Sequence, residues 1–192
     1  MIATHRAPLG GLALALTLAA CEGSPAGTDT DSSETATSTT APRDPVPLVD
    51  LPAWQEAEAI DDPLADHRPD PDVCPTGSVF MESLEVEIDT NFCTYAMLRW
   101  PALVEVPAGS DITLSFRHYD LIAAAPATAH VALLVDTTIV WEQTITIPGP
   151  AQVVNETVTV DQAFPIGAPV YFHLHNHGQN NYILSSITTT PP

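Results

Sequence analysis

The chain has 192 residues, with 24 acidic side chains against five basic ones and a net charge of −19. That sign excludes nucleic acid as a partner, because affinity for phosphate backbones comes from cationic contacts. All five basic residues are arginine, so the absence of lysine also excludes a Walker A phosphate loop, a Schiff-base lysine and a Ser-x-x-Lys nucleophile pair.

At the N-terminus, Arg6 precedes an apolar run from Leu9 to Leu18 that is broken by Gly10 and Gly11. A membrane span needs about 20 apolar residues, and this run is about half that. It ends in Leu18-Ala19-Ala20-Cys21, small residues before a cysteine, which resembles the lipobox of a bacterial lipoprotein signal peptide. A plain secretory signal with a small-residue cleavage site is the nearer alternative. The lipoprotein resemblance implies that residues 1–20 are removed and that Cys21 carries a diacylglyceryl thioether. Acyl chains of the palmitate kind would then complete the anchor. It places the protein in the cell envelope, lipid-anchored, on the periplasmic or cell-surface side. Each buried methylene contributes about 0.8 kcal/mol, so several chains make a stable tether. Such a tether lets a strongly acidic protein stay at a membrane that its charge would otherwise keep it from.

With Cys21 assigned to lipid, Cys74 and Cys93 are left as a pair for one disulfide in an oxidising compartment. The loop they close, of about 20 residues, is worth about 3 kcal/mol by chain entropy. Two free buried thiols are the alternative. Neither cysteine has a histidine at zinc-finger spacing.

Residues 21–47 read as a Ser/Thr/Pro linker with no large apolar residue before Val46, unable to bury enough surface to offset its ordering entropy. As a flexible coil it reaches roughly 25–30 Å. Residues 48–73 form an acidic, Pro-rich lead-in, in which Leu51, Trp54, Ile60 and Leu64 are placed to dock onto a domain and Ala53–Ile60 is expected to make two helical turns. Residues 74–192 then make up the domain.

From Cys74 onward, apolar and polar residues alternate between frequent Pro, Gly and Asn. Leu84, Val86 and Ile88 alternate with Glu85 and Glu87, the period of a half-buried strand. A strand over Ala102–Val106 leads to the turn Pro107–Ser110, and Ile112, Leu114 and Phe116 follow as an inward set. Further sets are Val131–Val135, then Ile139, Trp141, Ile145 and Ile147, then Val154–Val160, Tyr171–Asn176 and Tyr182–Thr188. About eight strands with turn signals between them, and no amphipathic helix, predict an all-β antiparallel β-sandwich. A jelly roll suits eight strands in two sheets, and an immunoglobulin-like sandwich is the second choice.

The layout from Phe80 to Thr190, with the stretch Gly178-Gln179-Asn180-Asn181-Tyr182-Ile183-Leu184 before the last strand, is similar to galactose-binding-like jelly rolls. That superfamily includes many carbohydrate-binding modules, so the resemblance implies this fold and glycan recognition as one function. One fold serves many functions, however, and the ligand must come from the site.

The densest constellation is His173-Leu174-His175-Asn176-His177. On a strand, the three histidines share one face with Tyr171, while Phe172 and Leu174 face the other way. Adjacent members, His173 with His175 or His175 with His177, lie about 6.7 Å apart and can converge on one ion. His130 is the expected additional ligand, because Val131, Leu133 and Val135 face the core. His118 shares parity with Phe116 and reads as a buried structural histidine.

The candidate ligand-binding set is therefore Tyr171, His173, His175, His177 and Asn180, with Gln179, Asn181 and Tyr182 as further glycan-type groups. The candidate metal set is His130, His173, His175 and His177, for zinc or copper; a structural calcium has no address in the sequence. Trp141 falls on an apolar face and Trp100 reads as covering the sandwich edge. Glu85 and Glu87 read as a solvated strand face, since a glycosidase pair brackets its bond from opposite sides. No Gly-x-Ser-x-Gly, His-Glu-x-x-His or phosphate-loop motif occurs. The sequence thus predicts a non-enzymatic, lipid-anchored binding module for a glycan or another envelope component. A metal-binding protein and a purely structural envelope domain are the alternatives.

Overall fold

The computed structural model describes residues 43–71 and 73–192. Cys21, the signal peptide expected before it and most of the expected linker lie outside the described residues. Eleven strands are found among those described: β1 Val46–Pro47, β2 Gln55–Glu56, β3 Val79–Glu82, β4 Glu85–Asp89, β5 Tyr95–Pro101, β6 Asp111–His118, β7 Ala127–Val135, β8 Thr138–Ile147, β9 Gln152–Thr159, β10 Pro169–Asn176 and β11 Asn181–Thr190.

The last eight strands pair as one long folded hairpin. β7 pairs with β8 at its tip, β6 with β9, β5 with β10 and β4 with β11, all antiparallel. Pairing of β11 with β6 and of β10 with β7 then closes two sheets. Their orders are β3-β4-β11-β6-β9 and β2-β5-β10-β7-β8, which makes an all-β antiparallel jelly roll. Inward residues of both sheets form one core, centred on Trp100, Phe116, Phe172 and Leu114.

The expected strands are present, with four differences that have physical causes. β5 covers Tyr95–Pro101, while Ala102–Val106 is irregular apart from one bridge at Val106. Tyr95, Ala96, Met97 and Leu98 are all buried, so this strand is apolar on both faces and shows no alternation. Leu84 is not inward: it sits in the β3–β4 turn at φ 72° and is 78% exposed. A register shift at Leu133/Leu134 turns Ile139 outward while Val140 and Trp141 both pack on the core. Trp100 is a core residue at 1% exposure, with its indole N–H donating to the Leu51 carbonyl at 3.2 Å.

The lead-in is built into the sandwich. β1 pairs with β11, and Leu48, Val49 and Leu51 enter the main core. Short 3-10 turns at Leu51–Ala53, Ala59–Asp61 and Ala65–His67 take the place of the expected helical turns. Gln55 and Glu56, in the middle of that stretch, pair with β5 instead. Trp54 packs against the main core and Leu64 against the outer cluster, whereas Ile60 stays exposed. Cys74 and Cys93 are joined in a disulfide, so the pairing expected from sequence holds.

Candidate metal centre

The register of β5, β10, β7 and β8 sets out the outer face of their sheet as a grid. One row reads Tyr95, His175, His130, Thr144; the next reads Met97, His173, Ala132, Glu142. Parity puts Phe172 and Leu174 in the core, as expected, and sends Tyr171, His173 and His175 to the outer face. Yet Tyr171 is 6% exposed and His173 fully buried.

The cover is the lead-in. Gln55 and Glu56 pair with Arg99 and Leu98, and Ala57 N–H donates to the Met97 carbonyl at 2.8 Å. The chain then crosses Tyr95 and Tyr171, burying them with Ala57, Met97, Ala132 and Leu134 in a second apolar cluster that Leu64 completes. A polar knot holds it in place. The Asp62 carboxylate, fully buried, accepts from Tyr95 Oη at 2.6 Å and from Arg68 Nε and Nη2 at 3.1 and 3.0 Å. The Arg68 guanidinium stacks 4.6 Å over the Tyr95 ring and also donates to the Ala57 carbonyl.

Just past this knot, His67 comes down over the grid. Its ring centroid lies 4.9 Å from that of His130 and 5.5 Å from that of His173, which are themselves 5.1 Å apart. One nitrogen from each of the three lies within 4.8 Å of the others. Three nitrogens on one tetrahedral ion at 2.0–2.1 Å are about 3.3 Å apart, so binding one ion draws the three together. Ala132, between His173 and Glu142 in its row, adds little bulk beneath the cluster.

The hydrogen bonding points the same way. His130 Nε2 lies 3.0 Å from Glu142 Oε2. A carboxylate only accepts, so Nε2 carries a proton, and in the neutral imidazole Nδ1 then keeps its lone pair. That Nδ1 is buried and has no hydrogen-bond partner among the described residues, as is true of both nitrogens of His173 and of Nε2 of His175. Buried polar atoms without partners are uncommon and cost about 1–3 kcal/mol each. Burial, then the neighbouring His130, His67 and His175 and the Arg68 cation, hold the His173 pKa down at about 3. Burial and then His177 lower that of His175 as well. Imidazoles kept neutral, with lone pairs converging and one ring oriented by a carboxylate, are the form in which histidine binds metal.

Of the metal set expected from sequence, His130 and His173 are brought together. His175 lies directly opposite His130, but its ring packs 4.5 Å from His177 and 5.7 Å from Tyr95. His177 follows the end of β10 and is exposed. Asn180 is away from the histidine grid: its amide donates to the Asp120 carbonyl at 2.8 Å and holds the β10–β11 loop at φ 112°. His118 is buried as expected, with Nδ1 donating to the Tyr119 carbonyl at 2.8 Å. The third converging histidine, His67, was not in the expected set. It sits in an aperiodic acidic stretch, and its only signal was the nearby Leu64, an apolar residue free to dock.

No family model and no curated protein matches the chain. Several solved structures are similar at low identity. The K3 cleaved adhesin domain of Lys-gingipain from Porphyromonas gingivalis is 16% identical, covering 77% of this chain and 99% of that one, at a TM-score of 0.43. The second N-terminal cellulose-binding domain of Cellulomonas fimi β-1,4-glucanase C is 16% identical over 80% and 97%, at 0.40. A carbohydrate-binding module, TmCBM61, in complex with β-1,4-galactotriose, is 8% identical over 74% and 91%, at 0.41. At TM-scores below 0.5 these likenesses are loose, and neither the jelly roll nor the histidine site rests on them.

At one end of the sandwich lies a separate open cleft of about 430 Å³, lined by Thr90, Asn91, Thr94, Ile122, His177 and Gln179 among others. Its amides and hydroxyls offer hydrogen bonds beside an apolar wall of Ile122, Ala123 and Ala124.

Proposed function

We propose that this chain is a non-enzymatic, lipid-anchored envelope protein that binds a zinc or copper ion through His67, His130 and His173. The observation that carries this reading is the convergence of His67, His130 and His173, one nitrogen of each within 4.8 Å of the others, with His130 Nδ1 and both His173 nitrogens buried and unpartnered among the described residues. The donor set is all nitrogen. It suits zinc or copper, whereas calcium takes oxygen ligands. Three protein ligands leave a fourth position for water or an exogenous group. Lipidation at Cys21 keeps the acidic domain at the envelope, where such ions arrive from outside the cytoplasm.

Calorimetric titration of the chain with zinc and with copper tests the reading. One ion per chain at micromolar affinity or tighter is expected, with a large loss in His130→Ala and in His173→Asn. Absence of binding by both metals at micromolar concentration overturns it.

A second reading has its own observation, the open cleft beside Asn91 and Gln179. Its size falls within the range of small-ligand sites, and its side-chain amides suit the hydroxyls of a glycan. A glycan array, repeated with Asn91→Ala and Gln179→Ala, is the test. A signal that both substitutions abolish supports this reading, and a blank array removes it.

A further inference from the structure

The segment Gln55–Arg68 crosses the sheet as a strap between two fixed points. Upstream, Leu48, Val49 and Leu51 are locked in the core and Trp100 holds the Leu51 carbonyl. Downstream, Cys74 is joined to Cys93. Between these points the strap is thinly attached. Ala57 is its one buried apolar side chain and Leu64 is half-buried; the remaining ties are the two-residue pairing with β5, the exposed Asp61–Arg99 ion pair and the knot of Asp62, Tyr95 and Arg68. A cavity of about 110 Å³, bordered by Ala57, Arg68, Tyr95 and Met97, remains beneath it.

The three converging imidazoles are divided across this joint. His130 and His173 belong to the rigid β7 and β10, whereas His67 rides on the far end of the strap and is exposed. An ion held by all three is a cross-link between strap and sheet. We propose that the bound ion clamps the strap, and that losing it frees the strap from the face carrying Tyr95, Met97, Tyr171 and Leu134. This rests on the metal-binding reading above.

The energetics follow from linkage. With the strap closed the ion has three protein donors, and with it open only two. Whatever factor His67 adds to affinity is the factor by which the ion shifts the strap towards closed, because coupling between two equilibria is reciprocal. The sheet donors stay in place throughout, held by the β5–β10–β7 ladders and by Glu142. The moving part is the strap, whose few apolar contacts put it at the low-stability end of the fold.

Hydrogen exchange of the full mature chain, with and without saturating zinc, reads this directly. The Ala57 amide bonds to the Met97 carbonyl of the sheet and so reports docking, whereas those of His67 and Arg68 bond to Leu64 and Ala65 within the strap and report its last turn. Zinc is expected to slow their exchange by about tenfold or more, leaving the β6 amides unchanged. In His67→Ala, which truncates an exposed side chain, zinc is expected still to bind to His130 and His173, more weakly. At zinc concentrations that saturate this variant, strap exchange is expected to stay at the metal-free rate. Zinc binding by the wild type without slowed strap exchange overturns the clamp and leaves the metal site standing. Equal slowing in His67→Ala overturns it too. If a parallel titration shows no bound metal at all, the metal reading itself has failed, and the clamp with it.

Discussion

His130 and Glu142 meet diagonally across the β7–β8 ladder, with 3.0 Å between Nε2 and Oε2, and this contact occupies one imidazole nitrogen and leaves Nδ1 without a partner among the described residues. Without the carboxylate, nothing among the described residues would fix the tautomer of His130. With it, the lone pair on Nδ1 is aimed before any ion arrives.

Replacing Glu142 is therefore expected to weaken metal binding without touching a ligand. Glu142→Leu should lose about 10–100-fold in affinity, the usual effect of removing an orienting carboxylate. Glu142→Gln should recover much of it, because its amide oxygen still accepts from Nε2. Competition with a chromophoric chelator measures both. Because Glu142 is more than half exposed, the melting temperature should hardly move.

The strap should loosen when its buried acceptor loses a donor. Tyr95→Phe removes the 2.6 Å hydrogen bond to Asp62 but keeps the ring under Arg68. A bond from a hydroxyl to a buried carboxylate is worth about 1.5–3 kcal/mol. Limited proteolysis should then cut between Ala57 and Arg68 faster than in the wild type, with the sandwich itself intact. Unchanged cleavage would show that the knot does not hold the strap.

On the opposite sheet, Arg117 grips Glu85 in a two-pronged pair at 2.5 and 2.6 Å, joined by Ser185. The Arg117 and Ser185 hydrogen bonds hold the Glu85 pKa down at about 2, from 4.5. A carboxylate depressed in the folded state adds stability that is fully present above pH 4.5 and is lost as pH falls towards 2. Solvent screening of this partly exposed pair reduces its worth to about 1 kcal/mol. Urea unfolding at pH 6 and pH 3 should show wild type and Glu85→Gln differing at the higher pH and converging at the lower.

Removing the cross-link of Cys74 to Cys93 acts on the unfolded chain. The two cysteines are 19 residues apart, for which loop entropy gives about 3 kcal/mol. The double Cys→Ala variant should unfold at correspondingly lower urea. The downstream anchor of the strap should also exchange hydrogen faster, since it is tied down at Cys74.

Much of this protein could be read from local pattern. Alternation placed β6, β7, β9, β10 and β11, because each has one face in the core and one towards solvent or polar cover, and the side-chain period of a strand records that difference directly. The same parity put His173 and His175 on one face with Tyr171 and turned His130 outward, and cysteine arithmetic paired Cys74 with Cys93. Tertiary structure decided the rest. β5 left no alternation because the strap covers its second face, and a bulge hid the outward turn of Ile139. Above all, His67 joined His130 and His173 only because a chain segment with no periodicity of its own folds back over the sheet. Period tells which face a residue takes, but no local pattern tells what will come to lie upon that face.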